Sequence, residues 1–313
     1  MATIPRSNRV TTLWAVTIVI GLGLLLQSVV PQITLLVILL QVAFALLHGA
    51  RRYGRRAIGV FVAAGLVISN ILENLSIETG FPFGHYHYTG GGKLFLVPWF
   101  IGPAYLATGY LAWIVGTVLL SDVRRNSPWL TTIGTPVIAA FAMTAWDLSM
   151  DPKNSTIRHN WIWENGGGYF GVPLGNFLGW TFTVYLFMQV FALYLRSRGP
   201  LPTAEPDRTG TSDLQGVLLY GLTTVPYFTL LFTGDHKTVT DAAGHTWQTA
   251  DIYETSTLVT VYGMFFVAVL ALLRIAQQRA AAPAPAPAPT AAAETAGQPE
   301  PETVRVTGTA SPE

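Results

Sequence analysis

Hydrophobic residues fall into eight blocks along this chain: Leu13–Val30, Gln32–Leu47, Ala57–Leu75, Phe95–Leu120, Thr131–Met150, Pro173–Leu195, Leu214–Phe232 and Thr255–Ile275. Most approach the roughly 20 residues a helix needs to cross a bilayer. The pattern predicts an all-α, polytopic transmembrane helix bundle. The second block is short, so seven spans is the alternative to eight. The first follows Arg6 and Arg9 without a small-x-small cleavage site, and it reads as a retained signal anchor. Residues 1–279 form the transmembrane domain in this reading. From residue 280 the chain turns Pro/Ala-rich, with Pro283–Pro289 alternating Pro and Ala, and it predicts a disordered tail. Arg196–Ser212 reads as a linker.

The polar interruptions between blocks are not random. Asn74-Leu-Ser-Ile-Glu78 is followed by a polar aromatic loop, Gly90–Gly92, Val97-Pro98 and an apolar run. Asp147-Leu-Ser-Met-Asp151 is followed by a similar loop, Gly166–Gly168, Val172-Pro173 and another apolar run. Residues 57–120 and 131–195 are therefore two copies of one two-helix unit. Each copy places carboxylates where one span ends, and carboxylates at a membrane edge are costly and usually functional. Two such clusters point to one site built from both halves, with Glu78 and Asp151 expected on a common cavity beside Tyr88 and Trp163.

Composition supports this picture. The chain is 50% hydrophobic and 11% charged, which excludes an ordinary soluble domain. The absence of cysteine removes disulfides, thiolate ligands and iron–sulfur sites. A net charge of +1 predicts no nucleic-acid partner. Lys93, Lys153 and Lys237 all read as loop residues, so no span offers a Schiff-base lysine and a retinal-binding rhodopsin is excluded. One set of loops and ends holds 13 arginines from Arg6 to Arg279; the other holds only Lys93, Lys153, Arg158 and Lys237. The positive-inside rule then puts both termini in the cytoplasm, in a multi-pass protein of the cell membrane.

The candidate chemistry lies on the outer side. Asp147 and Asp151, at i and i+4, share a helix face. Pro152 makes Asp151 the expected last helical residue. Asp147 then sits about a turn inside its span, where desolvation favours the neutral acid, and Glu73 is similarly placed beside Asn74. Helix capping, or pairing with Lys93, Lys153 or Arg158, is the alternative role for each carboxylate. His85 and His87 form the only close histidine pair, and neither histidine boxes nor an HEXXH motif occurs, so no metal is assigned. With His159 and Glu164 they read as polar support in the loops. Tyr86, Tyr88, Trp146, Trp161 and Trp163 are either interfacial aromatics or the walls of a slot for a flat apolar ligand, where ring faces also stabilise a cation.

The strings Glu73-Asn-Leu-Ser-Ile-Glu-Thr-Gly80, Phe83-Gly-His-Tyr-His-Tyr88, Trp146-Asp-Leu-Ser-Met-Asp-Pro152 and Trp163-Glu-Asn-Gly-Gly-Gly168 resemble the integral-membrane carotenoid hydratases of the CruF type. The likeness covers about residues 57–195; the flanking spans match only in hydropathy. It implies addition of water to the terminal double bond of an acyclic end group, giving a tertiary alcohol without a cofactor. The implied partners are an acyclic or monocyclic carotenoid and membrane lipid, with other enzymes of that pathway as candidates. Alkene hydration needs a proton donor, a shielded carbocation and one water, and the carboxyl groups and aromatics fit these needs. On the residues alone, a secondary transporter and a non-catalytic lipid- or carotenoid-binding protein are the rival classes.

The charge asymmetry generates a topological prediction. Reporter fusions after Arg56 and after Gly92 should report opposite sides of the membrane; the same side from both would sink this arrangement.

Overall fold

The computed structural model describes residues 6–198 and 211–281. The expected tail from residue 282 and most of the linker 196–212 lie outside these. In chain order, α1 (Arg6–Leu26) and α2 (Thr34–Tyr53, entered through a 3-10 turn at Pro31–Ile33) come first. Next are α3 (Arg55–Thr79), strand β1 (Tyr86–Tyr88), the small hairpin β2 (Lys93–Leu94) and β3 (Val97–Pro98), and α4 (Ile101–Leu119). The second copy contributes α5 (Trp129–Pro152), a π-helical turn (Lys153–Ile157), β4 (Trp161–Trp163) and α6 (Leu174–Ser197). The last part comprises α7 (Thr211–Leu222), α8 (Val225–Thr233), the hairpin β5 (Thr238–Thr240) and β6 (Thr246–Gln248), α9 (Thr249–Val259), a π-helical turn (Thr260–Phe265) and α10 (Phe266–Ala280). The end of the bundle that carries the two repeat loops is termed the outer end.

Seven of the described helical stretches are long and apolar enough to cross a membrane. The short one is not the second, as the hydropathy block suggested, but the first, whose apolar part is Thr12–Leu26. The second runs from Pro31 to Tyr53. It carries its arginines into the last turn because Arg52 is received there by Asp122 at 3.3 Å and by Asp213. Tyr53 also donates to Asp122 at 3.0 Å. These bonds tie α2 to the α4–α5 loop and to the start of α7.

The inside–outside pattern is that of a protein in lipid. On α3, Phe61 and Ala64 are buried while Leu66, Val67 and Ile71 are exposed. The central helix is α4, buried continuously from Tyr105 to Val118, which suits its all-round hydrophobicity. It approaches α5 closely at Gly116, where an added Cβ would lie 2.7 Å from the Thr135 carbonyl oxygen. Small residues permit such crossings in membranes.

Several boundaries differ from the sequence expectation, each for a backbone reason. The block Phe95–Leu120 is helical only from Ile101. Its first residues fold back because the Leu96 amide bonds to Asn74 Oδ1 (2.9 Å) and the Trp99 amide to the Gly92 carbonyl (3.0 Å). The fifth span does not end at Asp151 but passes through Pro152 to Ile157. Proline removes one ladder donor, and the carbonyl of Leu148, four residues earlier, instead accepts the Tyr169 hydroxyl at 3.1 Å. Lys153 consequently sits in a helical turn and not in a loop, its ammonium 5.5 Å from the Tyr227 ring.

The seventh span is broken between α7 and α8. Thr223 and Thr224 cap the preceding turn through bonds to the carbonyls of Tyr220 and Gly221, both 2.6 Å. Side-chain capping of this kind is how lipid-embedded chains tolerate a break.

Gly116→Leu is predicted to lower the stability of the solubilised protein by about 1–3 kcal/mol through overpacking at the α4–α5 crossing. Thermal unfolding in detergent measures this, and an unchanged midpoint would show that the crossing has room.

Candidate functional site

Alternation builds the outer site. In a strand, successive side chains face opposite sides. Tyr86 and Tyr88 of β1 are buried while His87 between them is exposed. The two loops meet here, since β1 pairs antiparallel with β4: Tyr86 opposite Trp163, His87 opposite Ile162, Tyr88 opposite Trp161. Four aromatic side chains therefore point inward, with ring centroids 4.8 Å apart for Tyr86–Trp163 and 5.9 Å for Tyr88–Trp161. The outward face carries His87, which lies 3.2 Å from Glu164.

The return of β1 over α3 is held by Ser76. Its hydroxyl accepts from the Phe83 amide at 3.0 Å and donates to the Gly84 carbonyl at 2.9 Å. Gly80 ends α3 in the left-handed region (φ +80°), where glycine alone is unstrained. The second loop is held from above. Asp241, in the β5–β6 turn, accepts from Trp247 Nε1 at 2.9 Å and the His245 amide at 2.9 Å. Its Cβ leaves no room for a side chain at Gly171. Although desolvation opposes it, these donors hold the Asp241 carboxyl below its ordinary range.

Three carboxyl groups lie beneath the aromatics, all essentially inaccessible to solvent: Glu73, Asp147 and Asp151. Glu73 accepts three phenol hydroxyls, from Tyr86 and Tyr88 (3.0 Å) on one oxygen and Tyr105 (2.8 Å) on the other. Burial, followed by the adjacent Glu73, pushes the Tyr86 and Tyr88 phenols well above their ordinary range, so both remain donors. Asp151 accepts Trp161 Nε1 (2.8 Å) and Trp163 Nε1 (3.3 Å) on Oδ1. The Asn176 amide bridges the aspartates, donating to Asp151 Oδ2 at 2.7 Å and to Asp147 Oδ2 at 2.8 Å. Asp147 Oδ1 is buried and has no hydrogen-bond partner among the described residues.

These groups line one cavity of about 50 Å³, together with Trp146, Trp180 and apolar side chains such as Ile101 and Met150. That volume suits a few water molecules. Tyr105 and Trp180 stack on each other in its wall, with centroids 4.5 Å apart and planes 3° from parallel.

Not every expected residue is here. Of the residues singled out from sequence, the cavity takes Glu73, Asp147, Asp151, Tyr86, Tyr88, Trp146, Trp161 and Trp163. Glu78 is exposed and outside it. Five positions beyond Glu73, it points well away from the inward stripe Ser69, Glu73, Ser76. Asn74 is also outside, hydrogen-bonded to Asn70 and to the Leu96 amide. His85, His159 and Glu164 are exposed loop residues, like His87. Sequence reasoning missed Asn176 altogether and Tyr105 and Trp180 as site residues. A signal existed: counted from Pro98 and Pro173, Tyr105 and Trp180 are equivalent positions, and so are Ile101 and Asn176. Among the described residues, no three His, Asp or Glu side chains converge closely enough to hold a metal ion.

A family model described as carotenoid biosynthesis protein matches residues 33–235, a stretch that contains every residue of this cavity. No curated protein and no solved structure matches the chain.

The shared amide generates a prediction. Asn176→Ala leaves two buried carboxyl groups without their common donor and should cost about 1–3 kcal/mol of stability. Thermal denaturation of the purified protein checks it; an unmoved transition would mean that the aspartates do not depend on this bridge.

Proposed function

Since the chain belongs to the carotenoid biosynthesis protein family, we propose that it is a hydratase adding water to the terminal carbon–carbon double bond of an acyclic carotenoid end group, giving a tertiary alcohol. The observation that carries this reading is the unpartnered oxygen of Asp147 in an aromatic-walled cavity that holds two further carboxyl groups.

The hydrogen bonds divide the roles. Glu73, with three hydroxyl donors, is satisfied as an anion, and so is Asp151 with two indoles and an amide. Asp147 has one donor and a free oxygen beside a second carboxyl, and it carries the proton. In the reaction Asp147 gives that proton to the less substituted alkene carbon, leaving a tertiary carbocation on its neighbour. The faces of Tyr105, Trp146 and Trp180 shield this cation, while the Glu73 and Asp151 charges stabilise it electrostatically. Water adds through oxygen to the cationic carbon and loses a proton to Asp151. One proton passing from Asp151 to Asp147 then restores the site. The balance is one water added and no electrons exchanged, so the residues need no redox cofactor for this step.

A second reading, a transporter, draws on the break between α7 and α8, a feature of transporter binding sites. Among the described residues it occurs in one span, and the carboxyl groups sit on two other spans, at their outer ends.

Asp147→Asn should reduce hydrated product about 10²–10⁴-fold while the protein still accumulates in the membrane. Near-normal hydration in Asp147→Asn would overturn the acid assignment. Chelator-washed membranes assayed without oxygen should still convert substrate, with the new hydroxyl labelled from isotopic water. Label arriving from molecular oxygen would make the protein a hydroxylase.

A further inference from the structure

Below the acid cavity lies a second, smaller one of about 10 Å³ between α4, α5 and the break after α7. The two cavities share a single wall residue, Trp146. On α4 their linings continue one another: Ile101 and Ala104 face the first, Thr108 and Leu111 the second. These four positions form one helical stripe. At 1.5 Å per residue they cover about 15 Å, half of a hydrocarbon core about 30 Å thick.

The second cavity looks polar by composition, because Thr108, Tyr220 and Thr223 line it. It is not polar in effect. Thr108 donates to the Ala104 carbonyl (2.8 Å), Tyr220 to the Ala142 carbonyl (2.9 Å) and Thr223 to the Tyr220 carbonyl (2.6 Å). All three hydroxyls are turned into the backbone, so the groups left for a ligand are methyls and a ring face. An isoprenoid end group exceeds the room in the acid cavity, so a wall must move to admit it. Trp146 is only half-buried and is, among the described residues, the side chain that lines both spaces.

We propose that the seam beneath Trp146 is a hydrocarbon-chain subsite. The polyene of the substrate runs from the acid cavity along the α4 stripe toward the bilayer centre, with the Trp146 indole as the movable partition. This rests on the carotenoid reading of the acid cavity and adds where the rest of the molecule lies.

Binding tests it without requiring turnover. The purified full-length protein in detergent is titrated with an acyclic carotene, read by quenching of tryptophan fluorescence. A two-isoprene-unit alkene with the same end group is then tested as a competitor. Thr108→Phe, which fills the seam, should weaken carotene binding about tenfold, the equivalent of about 1.4 kcal/mol, with the loss growing with chain length. Trp146→Ala, which joins the cavities, should bind carotene at least as tightly as the unaltered protein. Unchanged carotene affinity in Thr108→Phe would overturn the proposal, and so would weaker carotene binding by Trp146→Ala. If Thr108→Phe loses both ligands together, Trp146→Ala decides. Chain-length-dependent binding with no hydration by any form would keep the subsite and remove the hydratase reading.

Discussion

Three carboxyl groups are buried together at the outer end of the bundle, and buried polar groups need donors within the protein. Meeting that requirement organises the outer end of the bundle. Glu73 on α3 reaches its donors only if β1 returns over it and α4 brings Tyr105 alongside. Asp151 on α5 reaches its indoles only if β4 lies beside β1. Asn176 reaches both aspartates only if α6 begins directly beneath them. The loops are thus ordered by the carboxyl groups they cover, and the cavity is what remains between the donors.

Much of this was legible in the chain. The hydropathy blocks located the spans, and the repeated strings located the loops that meet. The inward face of Tyr86 and Tyr88 and the outward one of His87 became visible only with the β1–β4 pairing. What failed was phase. Matching the two copies letter by letter aligns Glu78 with Asp151, yet the inward stripe of α3 passes through Glu73. A similarity between the two strings is a matter of letters, whereas the direction of a side chain follows the turn of its own helix. Asn176 escaped because a single amide in an apolar run changes hydropathy little. Its importance comes from two carboxyl groups on another helix.

Proline misled in a related way. Pro152 reads as a terminator, but its effect is local: one lost donor and one orphaned carbonyl. Once Tyr169 satisfies that carbonyl, the helix continues, and Asp151 gains a rigid turn on its far side. Burial pushes the Tyr169 phenol up to about 12, so this support persists into alkaline solution.

The pairing of β1 with β4 carries a consequence for the symmetry of the site. The two similar loops lie against each other, and Tyr105 and Trp180, each seven residues beyond its proline, stack in the cavity wall. Two separate identical halves could form such a contact, but every substitution would then appear on both sides at once. Glu73 and Trp146, at matching places of the two strings, both line the cavity, an asymmetry that two identical halves could not hold. The hollow therefore has a direction, with phenols gathered on Glu73 at one flank and two aspartates sharing one amide at the other.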